Sequence, residues 1–393
     1  MQPGDLIKEV NRVSVSTTRE FHHHVARLGS GESVALLVRR ELLSGLALGA
    51  IAFVRIILWP HHAALYGQHY LLAFLIDLMQ NICRPCQALL MTKLQKYSHL
   101  IHWGTSTWTY PEWQGIVYQK AYTAKSIKSE SLAEYAAFKP FSTVGIDNTF
   151  YAPPNPFVLE EYAKHLPNGF KCVSKVWEEF TVPKWSNQKR YGKKAGKDNP
   201  HFLDAEKFKT AVLGVYEMAF KQHTGPLVFE FGEMYPPAIP SLAFFLEKLQ
   251  GFFSALPGDY EYAVELRNKA FLKPEYFATL RRHNVSHVFN HWTKMPRLIE
   301  QAAAAGENPF TANFGVARLL TPLGIKYEKA VEMNAPYNAL KARLPMMRDD
   351  IEELIDKALE FNIPFYILIN NRTEGCAPMT VQELDQRLHD KYE

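Results

Sequence analysis

TGPLVFEF (224–231) and, one helical stretch further on, AVELRN (263–268) decide the fold. Each is a short, mostly apolar run of strand length, and SLAFFLEKLQGFFS (241–254) between them repeats its apolar residues at helical spacing. Strand, helix, strand in that order is a parallel crossover unit. Working outward in both directions gives eight such pairs. The expected strands are His102–Thr105, Thr143–Asp147, Lys171–Ser174, Leu227–Phe231, Tyr262–Leu266, Ser286–Asn290, Phe314–Leu319 and Phe365–Asn370. Helical runs lie near Ser126–Phe138, Phe157–His165, Phe202–Gln222, Ser241–Ser254, Glu275–His283, Pro296–Ala305, Arg348–Phe361 and Val381–Tyr392. Eight parallel strands with crossover helices close into a (β/α)8 TIM barrel over residues 101–393. An open doubly wound sheet is the alternative, but WGTSTW (103–108) is not the glycine-rich phosphate turn expected after its first strand.

The whole chain has 393 residues, 47% apolar and 21% charged, with formal net charge +4 and 4 cysteines. Those values fit a globular protein and exclude disorder, collagen-like sequence and a disulfide-stapled scaffold. The charge is uneven: residues 1–100 carry 10 Lys/Arg against 6 Asp/Glu, which leaves 34 against 34 in the barrel. The low cysteine content fits a reducing, cytoplasmic setting. The polar start MQPGDLIKEVNR does not read as a signal peptide. Cys83 and Cys86 form a lone CRPC, with neither a second pair nor spaced histidines to complete a zinc site.

Residues 1–40 read as two strands around a helix, with a turn at Asn11–Arg12, a helix over Arg19–Leu28 and a strand over Glu32–Arg40. QPGDLIKEVN (2–11), the helix and the closing strand resemble the C-terminal half of a PDZ domain of the kind attached to HtrA-type proteases. That resemblance implies a partial PDZ-like α+β fragment. Peptide binding is not carried over, because a PDZ domain binds through a loop and strand in its first half. His22, His23 and His24 fall on one helix and point in three directions, which does not suit a metal. Residues 41–100 read as an apolar helical connector. Within it, residues 42–59 hold a single charge, Arg55, and barely reach the length of a membrane span. A membrane tether, a packed helical hairpin and a segment not native to the gene remain open for this stretch.

In a TIM barrel the chemistry sits at the C-terminal ends of the strands, and alternation tells which side chains face the lumen. With Val264 and Leu266 turned outward, Glu265 and Arg267 point in; by the same rule Glu230, Gly145 and Asp147 point in. Lys175 and Arg318 add positive charge to the same mouth. These groups either bind and transform a ligand or merely satisfy one another as buried ion pairs. Trp103, Trp108, Tyr110 and Trp113 at the first strand and its following loop form either a stacking wall for a flat or sugar-like ligand or packed core capping the mouth.

The motifs WGTSTWTYPEW (103–113), VGIDNTFYAPP (144–154), FKCVSKVWEEFT (170–181), TGPLVFEF, AVELRN and NNRTEGCAP (370–378) resemble, in order and spacing, the YecE-like family, or domain of unknown function 72. The resemblance implies a TIM barrel whose activity is unassigned. It carries over Trp108, Asn148, Phe150, Tyr151, Lys175, Glu265, Arg267, Arg318, Asn370 and Gly375 as candidates. This chain departs from the family pattern in having Gly145 for an inward Glu, Asp147 for Asn, Glu230 for Gln, and Leu320–Thr321 for a His-Gly pair.

The expectation is an enzyme acting on a polar, anionic or sugar-like small molecule by carboxylate acid/base chemistry. Glu265, Arg267, Asp147 and Glu230 are the catalytic candidates. Lys175, Arg318, Trp108, Trp113, Asn148, Tyr151, Asn370 and Asn371 are the binding candidates. No cofactor or metal is expected. The loop Lys184–Lys197, with six Lys/Arg, offers an alternative: non-catalytic binding of a nucleotide or nucleic acid. The barrel's overall neutrality weighs against an extended nucleic-acid surface.

Overall fold

The computed structural model describes residues 92–393 and, before them, the backbone of five short strands. In that first part Asp5–Val10 pairs antiparallel with Val13–Ser14 and with Leu36–Arg40, so strands lie where the two outer strands are expected, while the turn expected at Asn11–Arg12 lies outside the described residues. Ile56–Ile57 pairs with Ser33–Val34. This strand interrupts the helical connector expected there, where two adjacent β-branched residues favour extended backbone. The Arg19–Leu28 helix and the rest of residues 42–59 lie outside the described residues. Among the described residues no helix is long and apolar enough to cross a membrane.

Lys93–Glu393 forms one compact unit. Its strands are β1 (Ile101–Thr105), β2 (Thr143–Ile146), β3 (Lys171–Lys175), β4 (Thr224–Phe231), β5 (Tyr262–Leu266), β6 (Ser286–His291), β7 (Gly315–Leu319) and β8 (Phe365–Ile369). All neighbouring pairs from β2 round to β8, and β8 with β1, are parallel. The last seam, β1 to β2, is tied by Ser142 N–H donating to the Trp103 carbonyl at 2.9 Å. Tyr135 completes it: its hydroxyl accepts from Thr105 N–H at 2.9 Å and donates to the Thr143 carbonyl at 3.2 Å. A buried phenol thus stands in for ladder bonds that the two strands do not make directly.

The outer helices are α1 (Leu132–Ala137), α2 (Pro156–Lys164), α3 (Gly214–Ala219), α4 (Leu242–Ser254), α5 (Pro274–Arg282), α6 (Leu298–Ala305), α7 (Pro345–Phe361) and α8 (Ala377–Tyr392). Four of them, α2, α5, α7 and α8, have proline in the first turn, where its missing N–H would be unpaired anyway. The sequence pattern starts each of these helices too late for that reason. A helix at Lys93–Leu100 belongs with the barrel, since the Tyr97 hydroxyl accepts from Trp103 Nε1 at 2.8 Å. The strand β4 begins at Thr224 rather than Leu227, and the β3–β4 register shifts between Cys172 and Ser174. The shift accommodates Pro226, which has no N–H for the ladder.

Two apolar layers follow. Outward residues such as Val144, Phe229, Phe231, Val264 and Leu266 pack under the helices. Inside the lumen Val173, Val228, Ala263, Val288, Val316, Tyr366 and Leu368 make a separate plug. Two residues further along most of these strands the lumen turns polar, at Lys175, Glu230, Glu265, Asn290 and Arg318. That change of chemistry within one barrel positions the site.

Candidate functional site

Register fixes the site's central problem. Glu265 pairs directly with Glu230 on the neighbouring strand, and like charges at that separation repel unless cations intervene. Arg318 reaches across from β7 to supply one. Its Nη1 donates to Glu230 Oε2 at 3.2 Å and to Glu265 Oε2, while Nη2 spans both oxygens of Asp147 at 2.9 and 3.0 Å. Arg267, just past β5, donates from Nε and Nη2 to Glu265 Oε1 at 3.0 and 2.9 Å, and its Nη2 lies 2.9 Å from Glu230. Lys175 Nζ is 2.7 Å from Glu230. Three carboxylates and three cations from five strands therefore interlock, and the layer has no net charge.

Burial alone would raise the Glu230 pKa, but Arg267, Lys175 and Arg318 outweigh it and hold the carboxyl below the usual range. For Arg318 burial works against the charged form, and Asp147, Glu265 and Glu230 overcome it, so the guanidinium is held more firmly protonated than usual. Access differs across the layer: the Asp147 side chain is 29% exposed, Glu230 9% and Glu265 0%. Arg318 Nε and Asn290 Oδ1, on register partners of β7 and β6, are buried with no hydrogen-bond partner. A donor and an acceptor left over in one layer are unusual in a settled core.

The structure brings Glu265, Arg267, Asp147, Glu230, Lys175 and Arg318 together in one layer. Glu265 is sealed beneath two guanidiniums, and Lys175 and Arg318, expected to hold an anion, are already neutralised by carboxylates.

The aromatic wall needs correction. Trp108 and Trp113 are buried in the outer core, with Trp108 edge-on to Tyr162 at 4.9 Å and Trp113 stacked on Tyr118 at 6.2 Å. They fill space because their large apolar area is better sheltered than exposed. The rings that rim the mouth are Tyr110, Trp292, Tyr327 and Tyr337. Arg267 lies 4.1 Å from the Trp292 ring centroid. Tyr110 meets Tyr337 edge-on at 5.5 Å, and Trp292 is 6.4 Å from Tyr327. The sequence signal that could have found the latter two is the long stretch 320–344 after β7, since loops of that length at this face tend to be functional.

Asn370 and Asn371 brace the loop after β8 through their side-chain oxygens, and Asn371 Nδ2 is buried without a hydrogen-bond partner. Asn370 Oδ1 accepts from Arg372 N–H at 3.1 Å, and Asn371 Oδ1 accepts from Ala377 N–H at 2.8 Å, which sets the start of α8. Gly375 beside them has φ +111°, and a Cβ there would sit 2.4 Å from the Ala339 carbonyl oxygen, so the loop needs glycine. Asn148 is exposed and donates to the Tyr162 hydroxyl at 3.1 Å; Tyr151 is exposed beneath Arg190. At Gly145 a Cβ would lie 2.5 Å from the Ser106 carbonyl oxygen, so the β1–β2 seam has no room for an inward side chain there.

The basic loop is held down on the barrel. Arg190 pairs with buried Glu178 at 3.0 Å and Lys194 with buried Glu179 at 2.6 Å, while Lys194 also lies over Trp185. Two of its six cations are thereby spent on internal acids. Among the described residues no group of three or more His, Cys, Asp or Glu is placed to hold a metal ion. An inward histidine does exist, His102, but it stacks on Tyr366 at 4.8 Å, beside the apolar plug.

Residues 102–393 match the family described as "Protein of unknown function DUF72". The chain belongs to the DUF72 family. Among solved structures it is similar to a DUF72 family protein from Thermotoga maritima, with 22% identity and a TM-score of 0.50, covering 74% of this chain and 99% of that one. A DUF72 family protein from Enterococcus faecalis aligns at 16% identity and a TM-score of 0.48, covering 74% of this chain and 97% of that one. No curated protein matches. The DUF72 match begins at residue 102, so the PDZ-like reading of residues 1–40 rests on sequence alone.

Proposed function

We propose that this DUF72 protein is an enzyme that acts on a polar small molecule at the C-terminal mouth of its barrel, by acid/base chemistry centred on Asp147. The observation that carries this reading is the convergence of six ionisable side chains on the end of the lumen where barrels of this architecture hold their active sites. Asp147 is the carboxylate that a substrate can reach. Glu265 and Glu230, whose oxygens are taken up by Arg267, Arg318 and Lys175, are positioning residues that fix the cations around it. Arg318 Nη2 donates to both oxygens of Asp147, which orients the carboxylate as a general base. The unpartnered Arg318 Nε and Asn290 Oδ1 in the same layer support a site rather than a sealed core.

The test is a depletion screen by mass spectrometry, incubating the full-length protein with pooled polar metabolites beside Asp147→Asn. The reading expects one compound class to be consumed by the wild type, at a rate roughly 10²- to 10⁴-fold lower in the variant. Equal consumption by both proteins would reject Asp147 as the acid/base group.

A further inference from the structure

Arg372 is the mouth cation that the ion layer leaves out. It follows β8 directly in the segment 370–375, and its backbone is pinned on both sides: the N–H by Asn370 Oδ1 at 3.1 Å and the carbonyl by Asn334 Nδ2 at 2.8 Å. Its guanidinium carbon stands 4.7 Å from the centroid of the Tyr327 ring. Its Nε is buried without a hydrogen-bond partner, and among the described residues it makes no ion pair with a carboxylate. Lys175, Arg267 and Arg318 each have at least one carboxylate within 3 Å. A guanidinium that is partly withdrawn from water and lacks a counter-charge is costly to keep, and the cost is recovered when an anion arrives.

The surroundings suit an oxyanion. Tyr110 and Tyr337 meet edge-on, and both hydroxyls lie within electrostatic reach of Arg372. Tyr110 also interacts electrostatically with Asp147. Burial pushes the Tyr110 pKa up to about 12, so the hydroxyl remains protonated and able to donate at neutral pH. Arg372 and the tyrosines at 327 and 337 come from the segments after β8 and β7, the pair of loops that commonly takes phosphate in this architecture.

We infer that Arg372, flanked by Tyr110, Tyr327 and Tyr337, is an oxyanion subsite that holds a carboxylate or phosphate group of the substrate while Asp147 acts on the rest of the molecule. The subsite rests on the acid/base reading above for its connection to turnover, but not for its anion binding. A planar guanidinium suits the two oxygens of either group, and a lysine at that place would match them less well.

The experiment is calorimetric titration of the full-length protein with inorganic phosphate and, separately, with acetate, at constant ionic strength set by sodium chloride. Saturable binding of at least one anion is expected, weakened about tenfold or more in Arg372→Gln and less in Arg372→Lys. Tighter phosphate binding assigns a phosphorylated substrate and tighter acetate binding a carboxylated one. Should Arg372→Gln fail to fold, Tyr337→Phe and Arg372→Lys carry the comparison, each with weakened binding expected. No saturable binding of either anion, or unchanged affinity in the Arg372 variants, overturns the subsite. Wild-type turnover in Asp147→Asn would remove the acid/base reading while leaving this result standing, so the two failures are distinguishable.

Discussion

The lumen of this barrel has two halves built on the same strands and made of opposite materials. In one, Val173, Val228, Ala263, Val288, Val316 and Leu368 fill the space with apolar side chains. In the other, two residues along, Lys175, Glu230, Glu265 and Arg318 fill it with charges joined by Arg267 and Asp147. Backbone, tilt and register are shared, so they do not account for the difference. Apolar packing stabilises a lumen cheaply, whereas each buried ion loses its hydration and recovers it only through well-made pairs. A barrel that needed only to fold would continue the plug to its mouth. On the function proposed above, the charged half is retained for what it does to a ligand.

Unpairing the charged half has the largest expected effect. Glu265→Leu leaves Arg267 and Arg318 short of a partner in a buried layer, and urea unfolding is expected to show a loss of about 3–5 kcal/mol. In the apolar half Leu368→Ala opens a cavity without stranding any charge, and the same measurement should give about 2–4 kcal/mol. Acid separates the halves as well. The depressed Glu230 pKa means that the unfolded chain binds its proton first, so its stabilising contribution is intact above the ordinary glutamate value of about 4.3 and fades as pH falls below it. Urea unfolding between pH 6 and 3 should show that decline, and Glu230→Gln should flatten it, while Leu368→Ala shifts the whole curve without changing its slope. Asp147→Asn has the smallest effect, about 1 kcal/mol, because its side chain is partly solvated and its loss is screened.

The sequence made one of the two halves and its boundary legible. Strand alternation alone sent Glu230, Glu265 and Asp147 inward, because the apolar residues between them had to face the helices. Alternation says nothing about partners, so it left open whether Arg318 and Lys175 await a ligand or are neutralised by carboxylates, as the structure has them. Loop residues carry no such period. Trp108 and Trp113 could be core or wall, and only the packing around Tyr118 and Tyr162 decides for core. Arg372 lay in plain view in NNRTEGCAP, but its lack of a carboxylate partner is a three-dimensional fact. Helices start at Pro156, Pro274 and Pro345, one to three residues ahead of the expected starts at Phe157, Glu275 and Arg348, because a first-turn proline adds nothing to the apolar period.

The central claim is that the ion layer serves a ligand rather than the fold. Its most direct test is the unfolding free energy of the double variant Glu265→Leu with Arg318→Met, which removes one charge of each sign and leaves two carboxylates facing two cations. A double variant within about 2 kcal/mol of the wild type is expected, although each single variant loses about 3–5 kcal/mol, since an apolar pair of similar bulk replaces a buried ion pair at little cost. A double variant that loses the full sum of the two single losses would contradict the claim and make the layer a structural element.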